Sequence, residues 1–412
     1  MFSKDGLIDE IRGRFAHVDS CPFQGERVFF ENAGGALTLK SAVETSTFYA
    51  AIPDNQGRDN VAAAELMRVI AKAKDDMAVL FNAKEGQFFV GESGTELLFR
   101  MIRTAVVESA EGGRVVGSSL EHPASRSAAI RWAEIAGKDY VSVPHNDETG
   151  SVSAEDYAAH ITADTRVATI LHTSPVTGMA VDVSRERAPA CLIIVDGIQH
   201  AAHGRLDLAA YGVDGYAVSP YKVFSRHGYG VAWVSDRLGA MNHDMLIGGP
   251  TDNWEFGTRD TGAYATFSDV VDYFDWLGAQ ISESDDRRER IVAAGAAIHA
   301  HEKDLTDAML HGVGNLKGLA DMDGVSIIGG VDNPLREGLV SLSVNGMTGQ
   351  EVVAALNELG IRTHVRKADH YSGNILDPLG LETCVRVSMC HYNTEAEVAQ
   401  FLGVMQGIVG EK

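Results

Sequence analysis

Residues 191–222 read CLIIVDGIQHAAHGRLDLAAYGVDGYAVSPYK. Two short apolar runs stand in this stretch, Leu192–Val195 and Tyr216–Val218. Each hands over to polar side chains at its carboxyl end: Asp196 after the first, Ser219 and then Lys222 after the second. Runs that are apolar on both faces are the pattern of parallel strands covered by helices. The interval from Asp196 to Lys222 suits one helix and one strand, so the runs are predicted to lie close together in an α/β sheet. Ligands of such sheets bind beyond the carboxyl ends of the strands. A carboxylate there is costly unless it meets a cation or a donor. The alternatives are an N-cap role for Asp196 and a solvated loop for Lys222.

The pattern extends outward in both directions. NVAAAELMRVIAKAKDDMAVLF has the three- and four-residue spacing of a helix, QFFVG reads as a strand, and GTELLFRMIRTAV as a helix after a tight turn. GRVVGS, YVSVP and VATILHTS supply further strands, and YAVSP with GVAWVS suits an antiparallel pair. After residue 262 two long helices are predicted. Short strands (VSIIGG, GLVSLSVNG, CVRVSM) then alternate with helices. The expectation is a large, mostly parallel sheet domain over residues 20–275 and a smaller C-terminal α/β domain over 276–412, the latter joined by residues 1–19.

The formal charge is −22, which repels phosphate backbones and speaks against nucleic acid. No run approaches the roughly 18 apolar residues that cross a bilayer, and the charged N-terminus lacks the apolar core of a secretory signal. A cytoplasmic protein without a membrane partner is expected. Cys21, Cys191, Cys384 and Cys390 form no CxxC pair or zinc spacing. His200 and His203 stand three apart, but no carboxylate or thiol motif completes a metal set, and no metal is expected.

Other polar motifs come after predicted strands. In GESGTELLF, a turn into a helix start, Gly94 and Thr95 suit an anion, although such residues are more often plain caps. SSLEHPAS places His122 after a strand. A carboxylate after one strand, a lysine after the next, an anion site and a flat group for stacking together fit pyridoxal 5'-phosphate. That cofactor binds a lysine amine, needs an acid at its pyridine nitrogen and carries a phosphate.

The order SGTE, EH, DGIQ, SPYK, FGT and VRVS…YNT resembles the class V aminotransferase family. That group of pyridoxal phosphate enzymes includes cysteine desulfurases and isopenicillin N epimerase-like proteins. The resemblance implies the aspartate-aminotransferase-like fold (fold type I) and a homodimer with shared sites. It implies that Lys222 forms the Schiff base and moves the substrate's α-proton. Asp196 would pair with the pyridine nitrogen, Gln199 with the phenolic oxygen, and His122 would stack on the ring. Gly94, Thr95, Ser219 and the partner-directed Thr258 would hold the phosphate, and Arg386 the substrate α-carboxylate. Asn32 and Arg58 fall where relatives line the substrate pocket.

Three departures bear on the reaction. Tyr221 stands where many desulfurases have a histidine, though a phenol can still bond a phosphate oxygen. Pro175 stands where many relatives have an asparagine. The stretch RTHVRKADHYSGN, residues 362–374, lacks the sulfur-accepting cysteine of desulfurases. It carries instead Arg366, Lys367, His370 and Tyr371, which suit either an anionic substrate side chain or a solvated loop. The expected function is therefore transamination of a small amino acid. The alternatives are a β-lyase or desulfurase-like elimination without a persulfide cysteine, an epimerase, and a cofactor-binding sensor.

Overall fold

The computed structural model describes residues 2, 4–181, 183 and 191–410. Among them seven strands make one sheet: β1 (Gln87–Gly91), β2 (Arg114–Ser118), β3 (Asp139–Val143), β4 (Thr165–Leu171), β5 (Leu192–Asp196), β6 (Gly215–Val218) and β7 (Gly230–Val234). The spatial order is β1-β7-β6-β5-β4-β2-β3. β2, β3, β4, β5 and β6 run parallel, and only β7 runs against its neighbours, β6 and β1. The antiparallel pairing expected for YAVSP and GVAWVS is thus present.

The period of two inside the apolar runs decides how the sheet is buried. On β5, Leu192 and Ile194 join one apolar cluster while Ile193 and Val195 join the cluster on the other face. Helices α1 (Gly94–Val107) and α2 (Pro123–Ile135) contribute to the first cluster. The helices Val61–Phe81 and Thr261–Ile281 fill the second. No face of the central strands is left for water, which explains their lack of polar alternation.

A second sheet of four antiparallel strands orders as β8 (Val325–Ile327), β9 (Leu339–Val344), β11 (Thr383–Ser388) and β10 (His364–Lys367), with β10 at the edge. Its apolar residues form a separate core with the helices Gly349–Glu358 and Glu395–Gly410.

The two cores share the chain in a way the expected cut at residue 276 does not describe. Leu7, Ile11 and Phe15 pack with the large sheet, whereas Val28 and Phe30 pack with the small one. The helix Arg287–His311 gives Ile291, Ala294 and Ile298 to the large core and Leu305, Met309 and Leu310 to the small one. Residues 1, 3, 182, 184–190, 411 and 412, which the expected domains include, lie outside the described residues.

Candidate active site

β5 and β6 end side by side, and the turns at their carboxyl ends make the floor of the site. Asp196 is the last residue of β5, 2% exposed, and its carboxylate accepts a hydrogen bond from the Ile198 N–H at 3.1 Å. After β6, Ser219 leads a short 3₁₀ turn, Pro220–Lys222, that turns Lys222 back over the strand ends. Its Nζ donates to Gln199 Oε1 at 3.3 Å. The next residue but one, Phe224, is held at φ 64°, a left-handed conformation that bulky residues avoid. Its ring is fully buried among Phe15, Tyr273 and His391, and that packing fixes the turn.

Burial sets the charges here. It brings the Lys222 amine down to about 7, with Arg386 adding to the effect and Asp196 opposing it. It pushes the Asp196 carboxyl up to about 6, against the Ile198 N–H and Lys222. Burial, then Lys222, takes His122 down to about 3, so its ring is neutral at pH 7. His122 caps α2 by accepting from the Ala124 N–H at Nδ1, which places its ring proton on Nε2.

An anion cradle stands beside this floor. Ser93 caps α1 by accepting from the Glu96 N–H, and the N–H groups of Gly94 and Thr95 have no partner among the described residues. A Cβ at Gly94 would lie 2.5 Å from Ser219 Oγ and from Ile198 Cδ1, so only glycine lets the helix start approach this closely. Free helix N–H groups next to a buried serine suit a phosphate. The buried amine, the buried carboxylate, the neutral ring and the cradle together fit pyridoxal phosphate.

The open part of the site is a pocket of about 500 Å³ lined by Lys222, His122, Tyr221, Arg386, Arg366 and Tyr371, among others. Arg386, in the middle of β11 and 2% exposed, donates Nη1 to the Pro175 carbonyl at 3.0 Å. The proline that lacks a donor thus serves as an acceptor. Tyr221 stacks on His227 with ring centroids 4.4 Å apart, and its ring packs on Gly35.

Four expected residues lie elsewhere. Asn32 is buried, but its amide holds Ser388 O, Asn393 Oδ1 and the Tyr392 hydroxyl; its neighbours Glu31, Ala33 and Gly34 line the pocket instead. His370 is exposed, does not line the pocket, and accepts from Arg126 Nη2 through its carbonyl. Thr258 is exposed in a second cleft with Gln56 and Arg259, and Arg58 is exposed on the same 51–60 loop as Gln56. Neither Thr258 nor Arg58 reaches the lysine within one chain.

Two buried neighbours of the site escape a reading of the sequence. Glu121, buried behind His122, accepts from the Leu171 N–H and the Ser125 hydroxyl, and burial pushes it up to about 7. Gln199 Nε2 stands 3.2 Å from His203 Nε2, and His203 Nδ1 stands 2.7 Å from Glu302. Burial disfavours the His203 cation, but the Glu302 carboxylate outweighs it. His203, Glu302 and the buried Cys390 lie within 4.8 Å of one another, so carboxylate and thiol partners do exist for His203; they come from distant segments. The spacing of Gln199 and His203 is the one local signal of this relay. Glu302 gives none.

The sequence model described as Aminotransferase class-V matches residues 28–401, and the chain belongs to that family. A probable cysteine desulfurase of Pseudomonas putida is 25% identical over 82% of this chain and 82% of its own. A cysteine desulfurase-like protein of Aspergillus flavus is 26% identical, covering 98% of this chain and 90% of its own. Among solved structures, the apo cysteine desulfurase of Thermococcus onnurineus superposes with a TM-score of 0.82 at 20% identity, covering 98% of both chains. The fold is the aspartate-aminotransferase-like one, fold type I. The chain is an enzyme of a family that acts on amino acids with pyridoxal phosphate. Among the described residues no helix is long and apolar enough to cross a membrane.

Proposed function

We propose that this enzyme cleaves a bond at the β-carbon of an amino acid, in the manner of a desulfurase-like lyase, and releases the fragment to solution. The names of its relatives favour this over the transamination expected from the sequence. What carries the second half of the reading is the state of the cysteines. Cys384, nearest the two pocket arginines, is fully buried and its thiol is pushed up to about 11 by burial; Cys191 and Cys390 are buried as well. The pocket lining includes no cysteine among the described residues. A protonated, buried thiol is a poor nucleophile. Cys21 is half-exposed and its thiol is lowered by the Phe23 and Gln24 backbone N–H groups, but it does not line the pocket, so the persulfide route has no acceptor at the lysine.

When bound, pyridoxal phosphate supplies an electron sink for the pair left behind by the substrate's α-proton. In this reading the chain's residues do the rest. Lys222, its amine near 7, takes the proton from Cα. The fragment leaves Cβ without the bonding pair, as carbon dioxide or sulfur dioxide does, Cβ gains a proton from solvent, and Lys222 returns its proton to Cα. Asp196 holds a proton at the ring nitrogen, and Gln199 donates to the phenolic oxygen. Gly94, Thr95 and Ser219 hold the phosphate, while the His122 ring covers the site and excludes water. Arg386 grips the α-carboxylate with its planar fork. A homodimer accounts for Thr258, whose cleft would face the partner's cradle, and for Arg58 on the loop beside that cleft.

Product analysis of the holoenzyme with a panel of amino acids tests the reading. A product that has lost its β-substituent, formed without any added keto acid, is expected. Transfer of the amino group to an added keto acid with the β-substituent intact would overturn it.

A further inference from the structure

Two guanidinium groups face one pocket, and among the described residues neither has a carboxylate partner. Arg386 is buried on β11, its Nε has no hydrogen-bond partner, and its Nη1 donates to a neutral carbonyl. Arg366 lies on β10, where it stands opposite Cys384 while His364 stands opposite Arg386. Opposite residues of an antiparallel pair share a face, so Arg366 and Arg386 are diagonal neighbours on one face, their Cα atoms roughly 7–8 Å apart. Arg366 donates to the Ser372 hydroxyl, again a neutral group. Two carboxylates line the same pocket: Glu31, which pairs with Arg362 at 2.7 Å and His364 at 3.2 Å, and exposed Asp369, which accepts from the Tyr371 N–H and favours the Arg366 cation; against them the lining sets Arg366, Arg386, Lys367 and Lys222.

The positive charge is therefore in excess, and it is felt at the floor: both arginines lower the Lys222 amine. The cofactor does not remove it, because its phosphate cradle at Gly94, Thr95 and Ser219 forms no part of this pocket lining. A substrate with one carboxylate would neutralise one arginine and leave the other paired with nothing.

Resting on the lysine-centred reading above, we propose that the pocket selects an α-amino acid whose short side chain itself ends in an anion, a β-carboxylate or β-sulfinate, with Arg386 taking one charged end and Arg366 the other. Arg386 is buried and Arg366 half-buried, and a site built to pair such charges rejects the analogue lacking one more strongly than an apolar pocket rejects a missing methylene. Lys367, exposed at the pocket mouth, adds to the attraction of a dianion.

The test is competitive binding to the holoenzyme of succinate and of butyrate, which match in length, differ by one charge and lack the amine needed for turnover. Binding is read from the cofactor absorption band and as inhibition. Succinate should bind at least tenfold tighter than butyrate. Arg366→Gln should bring the two within about threefold, and Arg366→Lys should restore part of the preference. Equal binding of the two acids to the unaltered enzyme, or a preference that survives Arg366→Gln, would overturn the proposal. The band itself reports that each variant is folded and loaded. Failure of the β-cleavage reading would show separately, as intact succinate preference with no β-cleaved product from any anionic amino acid.

Discussion

Asp196 and Lys222 stand at the ends of adjacent strands with apolar side chains on both faces, whereas Arg366 and Tyr371 belong to an edge strand and the turn after it, half in water. In the first region burial dictates the chemistry: an amine near 7 and a carboxyl near 6 arise because neither charge is well solvated. In the second, burial also lowers the Arg366 guanidinium, but this group faces the open pocket and acts by what it attracts. On the proposed reading, the difference separates a floor that performs a reaction from a rim that chooses what reaches it. Damage to the floor should abolish turnover, and damage to the rim should redirect it.

The largest expected effect is at Lys222. On the proposed reading Lys222→Ala removes both the covalent anchor and the base, and turnover should fall by about 10⁴-fold or more in a steady-state assay. Retained turnover would collapse the distinction between floor and rim. Asp196→Asn, which removes the charge with little change in shape, should cost about 10²-fold or more in kcat while leaving the protein folded by circular dichroism.

Proton linkage sharpens the comparison. Only the neutral amine of Lys222 can attack the cofactor's aldehyde, and its neutral fraction grows as pH rises through about 7. The rate constant for capture of pyridoxal phosphate by the apoprotein should therefore rise between pH 6 and 8 and then level. Arg386→Gln removes a cation that depresses this amine, so the midpoint should move to higher pH. A midpoint near the ordinary lysine value in the unaltered protein would mean that the floor is wetter than its burial indicates.

The smallest effect belongs to His370. It is exposed and outside the pocket lining, and His370→Ala should leave kcat/KM within about twofold and stability within about 0.5 kcal/mol. A large loss would place a rim residue among the reacting groups.

The same contrast explains what can be read from sequence. The floor is legible because LIIVD and YAVS are unbroken apolar runs, and a polar residue at the end of such a run has few other reasons to be there. The rim is not: THVRK has no apolar alternation, and it becomes a strand only because β11 offers it a ladder. Asn32 defeats a local reading for a related reason. Its amide is spent on joining the N-terminal turn to Ser388 and Asn393, partners more than 350 residues away that no local pattern discloses. The chain of contacts from Gln199 through His203 to Glu302 likewise needs a helix 99 residues further along the chain.

The helix Arg287–His311 has a consequence for how the molecule comes apart. One end of this continuous rod is a wall of the large core, the other a wall of the small one, and the chain before residue 31 threads both. Neither core can melt without stripping apolar surface from the other. The protein should therefore lose its structure in one concerted thermal transition, and a cut within this helix should unseat the arginine clamp and the lysine floor together.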